Sequence, residues 1–75
     1  MPGILSQLSI GQSAIIQGFT DEEISLKLIE LGVIPGTTVT MIRKAPFGDP
    51  IAFACLGSLI SVRLQEAATV LIESE

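Results

Sequence analysis

Between residues 20 and 50 the apolar positions change period, and the rest of the chain is arranged around that change. Ile24, Leu28 and Leu31 recur at three- and four-residue spacing, which puts them on one face of a helix over about residues 21–31. Thr20 and Glu23 have capping-box spacing, so the Thr hydroxyl can accept the Glu23 amide while Glu23 reaches back to the Thr20 amide. Phe19 and Ile24 occupy hydrophobic-staple positions, and Asp21, Glu22 and Glu23 bring negative charge to the positive end of the helix dipole. Gly32 follows as a left-handed cap, with Val33 able to fold back on Leu28. Pro35-Gly36 suits the centre of a type II turn. Over residues 37–44 the period becomes two, with Val39 and Met41 on one face and Thr38, Thr40 and Ile42 on the other. That is a β-strand rich in branched side chains.

Shorter pieces surround this helix–turn–strand unit. Residues 4–8 form a lead-in or single helical turn, with Leu5 and Leu8 on one side, and residues 9–12 a turn. Residues 13–17 make a short strand closed by Gly18. After a loop over residues 45–50, residues 51–56 and 59–64 form a hairpin across Gly57-Ser58. Residues 65–68 can make one helical turn, residues 69–72 a last strand and residues 73–75 a polar tail. Five short strands with one helix inserted after the first predict a mainly β fold. The expected architecture is a small antiparallel sheet closed into a partial barrel, because closure protects strand edges. The strands between residues 37 and 64 would form its centre, and the helix would cover one open side. No repeat or linker interrupts the chain, and residues 1–75 constitute one domain.

Composition narrows the class. Hydrophobic residues make up 48% of the 75 positions, which compensates for a length near the lower limit for unaided folding. No apolar run reaches the roughly 18 to 20 residues that span a bilayer. The longest, residues 51–62, is broken by Gly57, Ser58 and Ser61. The opening MPGILSQLSIG lacks a basic start and a cleavage site, so a cytoplasmic location without signal peptide or direct membrane insertion is expected. Net charge is −4, and Lys27, Arg43, Lys44 and Arg63 are the only basic residues. Without a basic stripe, and without Tyr or Trp to stack on bases, nucleic acid is not an expected partner. Cys55 is alone, which excludes an internal disulfide, and mid-strand it serves as a small buried hydrophobe. With no His, a transition-metal site would fall to carboxylates, poor holders of iron or zinc. Asp21, Glu22 and Glu23 are assigned to the helix dipole, a weak divalent-cation contact there staying open. No cofactor is assigned. No base, nucleophile pair or phosphate-cradling glycine loop is present, so no catalysis is expected.

Two surfaces are candidates for a protein partner. The loop Ala45-Pro46-Phe47-Gly48-Asp49-Pro50 is stiffened by two prolines, bent at Gly48 and preceded by Arg43 and Lys44. Phe47 either anchors a partner from an exposed tip or folds inward to plug the barrel, with Asp49 capping a turn. On the helix, Leu26 and Ile29 lie opposite the face of Ile24, Leu28 and Leu31, and Val33 continues their line. Either the lead-in covers them or they meet a partner, a second copy in a weak homo-oligomer being one such partner. The partner-binding set is therefore Arg43, Lys44, Pro46, Phe47, Asp49, Leu26 and Ile29. Arg63 and Glu66 have ion-pair spacing and Ala67 is small enough to pack closely, both structural features.

Several of these pieces fall into a recognisable order: Leu5 and Leu8, Gly11-Gln12, LIELGVIPG over residues 28–36, APFGDP over residues 45–50 and RLQEA over residues 63–67. The ordered set resembles the FeoA family, ferrous iron transport protein A, over nearly the whole chain. That resemblance implies an SH3-like barrel and a small cytoplasmic accessory protein of bacterial ferrous iron uptake. It implies a partner too, the FeoB membrane protein with its cytoplasmic GTPase domain. The residue content argues against firm iron binding, despite the family name. Leu26 departs from the family, where that position is more often polar or basic. The domain also resembles the C-terminal domain of DtxR-type repressors. This implies an alternative, a metal-linked regulatory module that binds a proline-containing segment or, weakly, a divalent metal. A start at Met1 without a DNA-binding segment argues against the chain acting as a repressor itself.

Overall fold

Alternating side chains and tight turns give nine regular elements in the computed structural model, which describes residues 2–74. Met1 and Glu75, and with them the two ends of the expected domain and the last residue of the expected tail, lie outside the described residues. The elements are β1 (Pro2–Ile4), a 3-10 turn (Leu5–Gln7), β2 (Ser13–Phe19), α1 (Glu22–Leu31), β3 (Thr38–Lys44), β4 (Ile51–Cys55), β5 (Ser58–Val62), the one-turn α2 (Leu64–Ala67) and β6 (Val70–Ser74). All neighbouring strands are antiparallel in one open six-stranded sheet of order β1-β6-β2-β3-β4-β5. The mainly β partial barrel is therefore present, with six strands instead of five and with the helix after the second strand.

Three expectations about the sheet are corrected. The lead-in contributes β1, whose Pro2 and Gly3 hide a strand from propensity. Proline is tolerated there because β1 is an edge strand, where a missing N–H breaks no ladder. The expected polar tail joins β6 through Glu73 and Ser74, since Pro2 pairs with Glu73 and Ala14 with Ser74. Because β6 and β1 add to the far side of β2, the three strands over residues 37–64 form one end of the sheet, not its centre.

The inward positions of β2 to β6 converge on one core: Ala14, Ile16, Val39, Met41, Ile51, Phe53, Cys55, Ile60, Val62, Val70 and Ile72 are buried together. Each large apolar side chain there contributes about 1.5–3 kcal/mol by leaving water. Leu5, Leu8 and Ala67 complete the core from the turns, Leu28 from the helix and Val33 from just beyond its cap. Cys55 behaves as expected of a small core residue, its Sγ lying 3.4 Å from Thr37 Oγ1 and 3.5 Å from the Gly32 carbonyl oxygen.

The helix ends where Gly32 takes φ 110°, and the Val33 N–H donates to Leu28 O at 2.9 Å. That fold-back seats Val33 on the core, so Val33 does not extend the line of Leu26 and Ile29. Leu31, expected on the buried face, is exposed at the last turn of the helix. The following turn forms as expected, with Thr37 N–H donating to Ile34 O at 3.2 Å across Pro35-Gly36. At the other end the cap shifts by one residue. Asp21 Oδ1 accepts the Ile24 N–H at 3.0 Å, whereas Thr20 is drawn out of the cap by its N–H bond to Thr69 O at 2.8 Å. The β2–β6 ladder, which already ends at Phe19 and Val70, thus overrides the local capping box.

The β4–β5 hairpin is also offset by one. Cys55 pairs with Ser58, leaving Leu56-Gly57 as the connection. Both have positive φ, 52° and 78°, as a type I′ turn requires. A left-handed conformation costs a β-carbon residue about 1–2 kcal/mol, and exposed Leu56 recovers little of this by packing. Leu56→Asn, giving the Asn-Gly preferred in this turn, is expected to raise unfolding stability by about 0.5–1 kcal/mol. Denaturant titration monitored by circular dichroism reads this directly.

The expected Arg63–Glu66 ion pair is replaced by a longer-range one. Glu66, only 8% exposed, accepts from Lys27 Nζ on the helix and from the Arg63 backbone N–H at 3.0 Å. Ion-pair spacing within one turn loses here because the Glu66 carboxylate turns inward toward α1. The Lys27 hydrogen bond, followed by the Arg63 amide, holds the Glu66 carboxyl below its ordinary value of 4.5, burial opposing both. A folded-state pKa below the unfolded one means stability present above about pH 4.5 and lost as pH falls through the folded value. Lys27→Met should therefore lower stability near neutrality by about 1 kcal/mol, discounted for the exposure of Lys27. It should also flatten the acid limb of the stability–pH curve, which thermal melts between about pH 3 and pH 7 would show.

Candidate interaction surface

Strict alternation along β3 would turn Arg43 inward beside Val39 and Met41. A bulge prevents it. Met41 pairs with Phe53, Ile42 is skipped, and Arg43 pairs with Ala52. The extra residue reverses the side on which Arg43 emerges, a recurrent use of bulges next to binding sites. Arg43 is consequently exposed, in a row with Ala52 and Ser61 across three strands. Lys44, opposite Ile51, is half-buried.

The loop that follows is held at both ends. The Ala45 N–H donates to Pro50 O at 3.0 Å and the Gly48 N–H to Ala45 O at 2.7 Å. Asp49 Oδ1 accepts the Leu64 N–H at 3.0 Å, tying the loop to the start of α2. Asp49 thus has a structural task, satisfying one of the orphan donors of a helix start. The Asp49–Pro50 peptide is cis. On this frame Phe47 is 97% exposed, so it does not plug the barrel. The loop is too tightly closed to fold its tip back over the core. Beside it Arg43, Ala45, Pro46, Pro50, Ile51, Ala52 and Ser61 line an open groove of about 310 Å³.

The second face is exposed too. Leu26 is 62% and Ile29 41% exposed. The lead-in does not cover them, because its 3-10 turn packs against β6 and α2 instead. One turn apart on α1, they form an apolar pair separate from the loop in sequence. Sequence reasoning missed Ala52 and Ser61, which depend on strand register that alternation alone does not supply.

Among the described residues no three His, Cys, Asp or Glu side chains gather as metal ligands. Among them, too, no helix is long and apolar enough to cross a membrane.

An antiparallel partial barrel with one long helix and a stiff, projecting loop defines a class, the small SH3-like β domain. The FeoA domain family matches residues 4–74, and the chain belongs to that family. Over 70 residues, 92% of this chain, it is 30% identical to the Porphyromonas gingivalis Fe(2+) transport protein A/Fe(2+) transporter FeoB fusion protein, and it spans 8% of that protein's length. The FeoA-like protein of Clostridium acetobutylicum superposes with a TM-score of 0.89 at 30% identity, over 97% of this chain and 86% of that one. FeoA of Stenotrophomonas maltophilia, an SH3 domain protein solved in complex with zinc, gives 0.82 at 29% identity, over 95% and 89%. A manganese-dependent transcriptional repressor shares the fold alone, with a TM-score of 0.89 at 13% identity over 99% of this chain and 37% of that one. Family membership links the chain to ferrous iron transport.

Proposed function

We propose that this chain is a non-catalytic adaptor of ferrous iron uptake, binding a FeoB-type transporter and shifting its working equilibrium. Phe47 carries the reading: a 97% exposed aromatic on a loop pinned by three hydrogen bonds. Exposed aromatics on rigid supports are the usual anchors of protein interfaces, because little conformational entropy is lost on docking. The relative that joins Fe(2+) transport protein A to FeoB in one polypeptide supports the choice of partner. Arg43, Lys44 and Pro46 surround the anchor, Asp49 holds the loop in place, and Leu26 with Ile29 offers a second apolar contact.

An adaptor changes a transporter only by binding one of its states more tightly than another, about 1.4 kcal/mol of difference giving a tenfold shift. Calorimetric titration into a FeoB-type transporter in neutral detergent, with GDP and then with a non-hydrolysable GTP analogue, tests this. Affinities that differ between the two nucleotide states are expected. Equal affinities would remove the modulating role, and absence of binding would overturn the adaptor reading.

A further inference from the structure

We propose that the groove beside residues 45–50 receives an extended acidic segment of the protein partner, clasped by Arg43 and Arg63; this rests on the adaptor reading above. The bulge at Ile42 turns Arg43 out over the row of Arg43, Ala52 and Ser61. Ala52 is small and nearly buried there, so it floors the groove between flanking strands. Arg63 lies two residues beyond Ser61 in extended backbone, which returns it to the same outward side, and it is exposed. Arg43 lines this groove, exposed Arg63 follows two residues after lining Ser61, and Lys44 is next to Arg43 in the chain.

Charge decides what such a groove takes. The protein carries net charge −4, yet three of its four cations stand at this one end. Among the described residues none of the three is ion-paired, whereas the fourth, Lys27, is bound to Glu66. The two carboxylates nearest this end in sequence do not pair with them. Asp49 accepts the Leu64 N–H, and Glu66 is turned inward on Lys27 and the Arg63 amide. Guanidinium groups bind carboxylates in a two-point fork, which favours Asp or Glu side chains in the ligand.

The same lining argues against a proline-rich segment. Grooves that take polyproline helices are lined by aromatic side chains. None lines this groove, and the chain contains neither Tyr nor Trp. Exposed Phe47 follows Pro46, which lines the groove, and so is available to meet one apolar side chain of the acidic segment. A volume of about 310 Å³ suits a short stretch, being at the lower end of ligand sites, roughly 300–1,000 Å³.

The test measures Kd for a FeoB-type transporter in neutral detergent at about 50 mM and about 300 mM salt, using the wild-type chain and the double variant Arg43→Gln/Arg63→Gln. Both side chains are exposed, so an unchanged melting temperature confirms that the variant is folded. Wild-type affinity is expected to weaken at least about tenfold at the higher salt. The variant should be weakened about as much already at low salt and be nearly indifferent to salt. Tight binding that neither salt nor the substitutions alter would overturn the groove proposal and leave the adaptor reading standing. No wild-type binding at either salt would sink both. Wild-type binding to phosphatidylglycerol vesicles that the variant loses, with transporter affinity unchanged, would reassign the cations to lipid and overturn the proposal.

Discussion

Leu28→Asp is expected to abolish folding at room temperature. Leu28 is fully buried among the core residues that the helix shares with the sheet. The substitution removes about 2–3 kcal/mol of apolar burial and places a carboxyl where the core offers it no partner. Ionised or forced neutral by a raised pKa, that group costs several kcal/mol more. A 75-residue domain has stability near the low end of about 5–15 kcal/mol, so the sum exceeds what is available. Far-ultraviolet circular dichroism and a flat thermal melt would show the loss. Leu26→Asp, on the exposed side of the same helix, is the control and should melt like the wild type.

Phe47→Ala should have the opposite profile, unchanged stability and a large loss of binding. At 97% exposure the ring buries almost nothing in the free protein, so truncation removes no packing and leaves no cavity. A central aromatic anchor typically accounts for about 2 kcal/mol or more of an interface, or roughly a thirtyfold weaker Kd. Paired melts and calorimetry with the transporter separate the two quantities. A normal Kd with a depressed melting temperature would place Phe47 in the core, against the geometry found.

The helix and the turn after it were legible in the sequence because several local signals coincided: the spacing of Ile24 and Leu28, Gly32 as a cap, and Pro35-Gly36. What was not legible depends on partners distant in the chain. Asp21 replaces Thr20 as the cap because Thr69 captures Thr20. β1 forms through its pairing with β6, not through the preferences of Pro2 and Gly3. The hairpin tip moves from Gly57-Ser58 to Leu56-Gly57 because inward Ile60 and Val62 must meet the core, and a one-residue slip would turn them outward.

The candidate surface divides in the same way. Composition and loop chemistry pointed to Arg43, Pro46 and Phe47, but pattern alone left the direction of Phe47 open. The row of Arg43, Ala52 and Ser61 arises from a bulge that alternation would deny. Leu26 and Ile29 were placed correctly on the outer face. Their lack of cover became visible only once the lead-in was seen to pack on β6 and α2.

The most direct test of the adaptor account is an amide NMR titration of this protein with a FeoB-type transporter in neutral detergent, with and without guanine nucleotide. The account predicts shifts or line broadening confined to residues 43–50 and 26–33, with the Ala52 and Ser61 amides following, and a nucleotide-dependent amplitude. Uniformly unperturbed spectra at saturating transporter would contradict it.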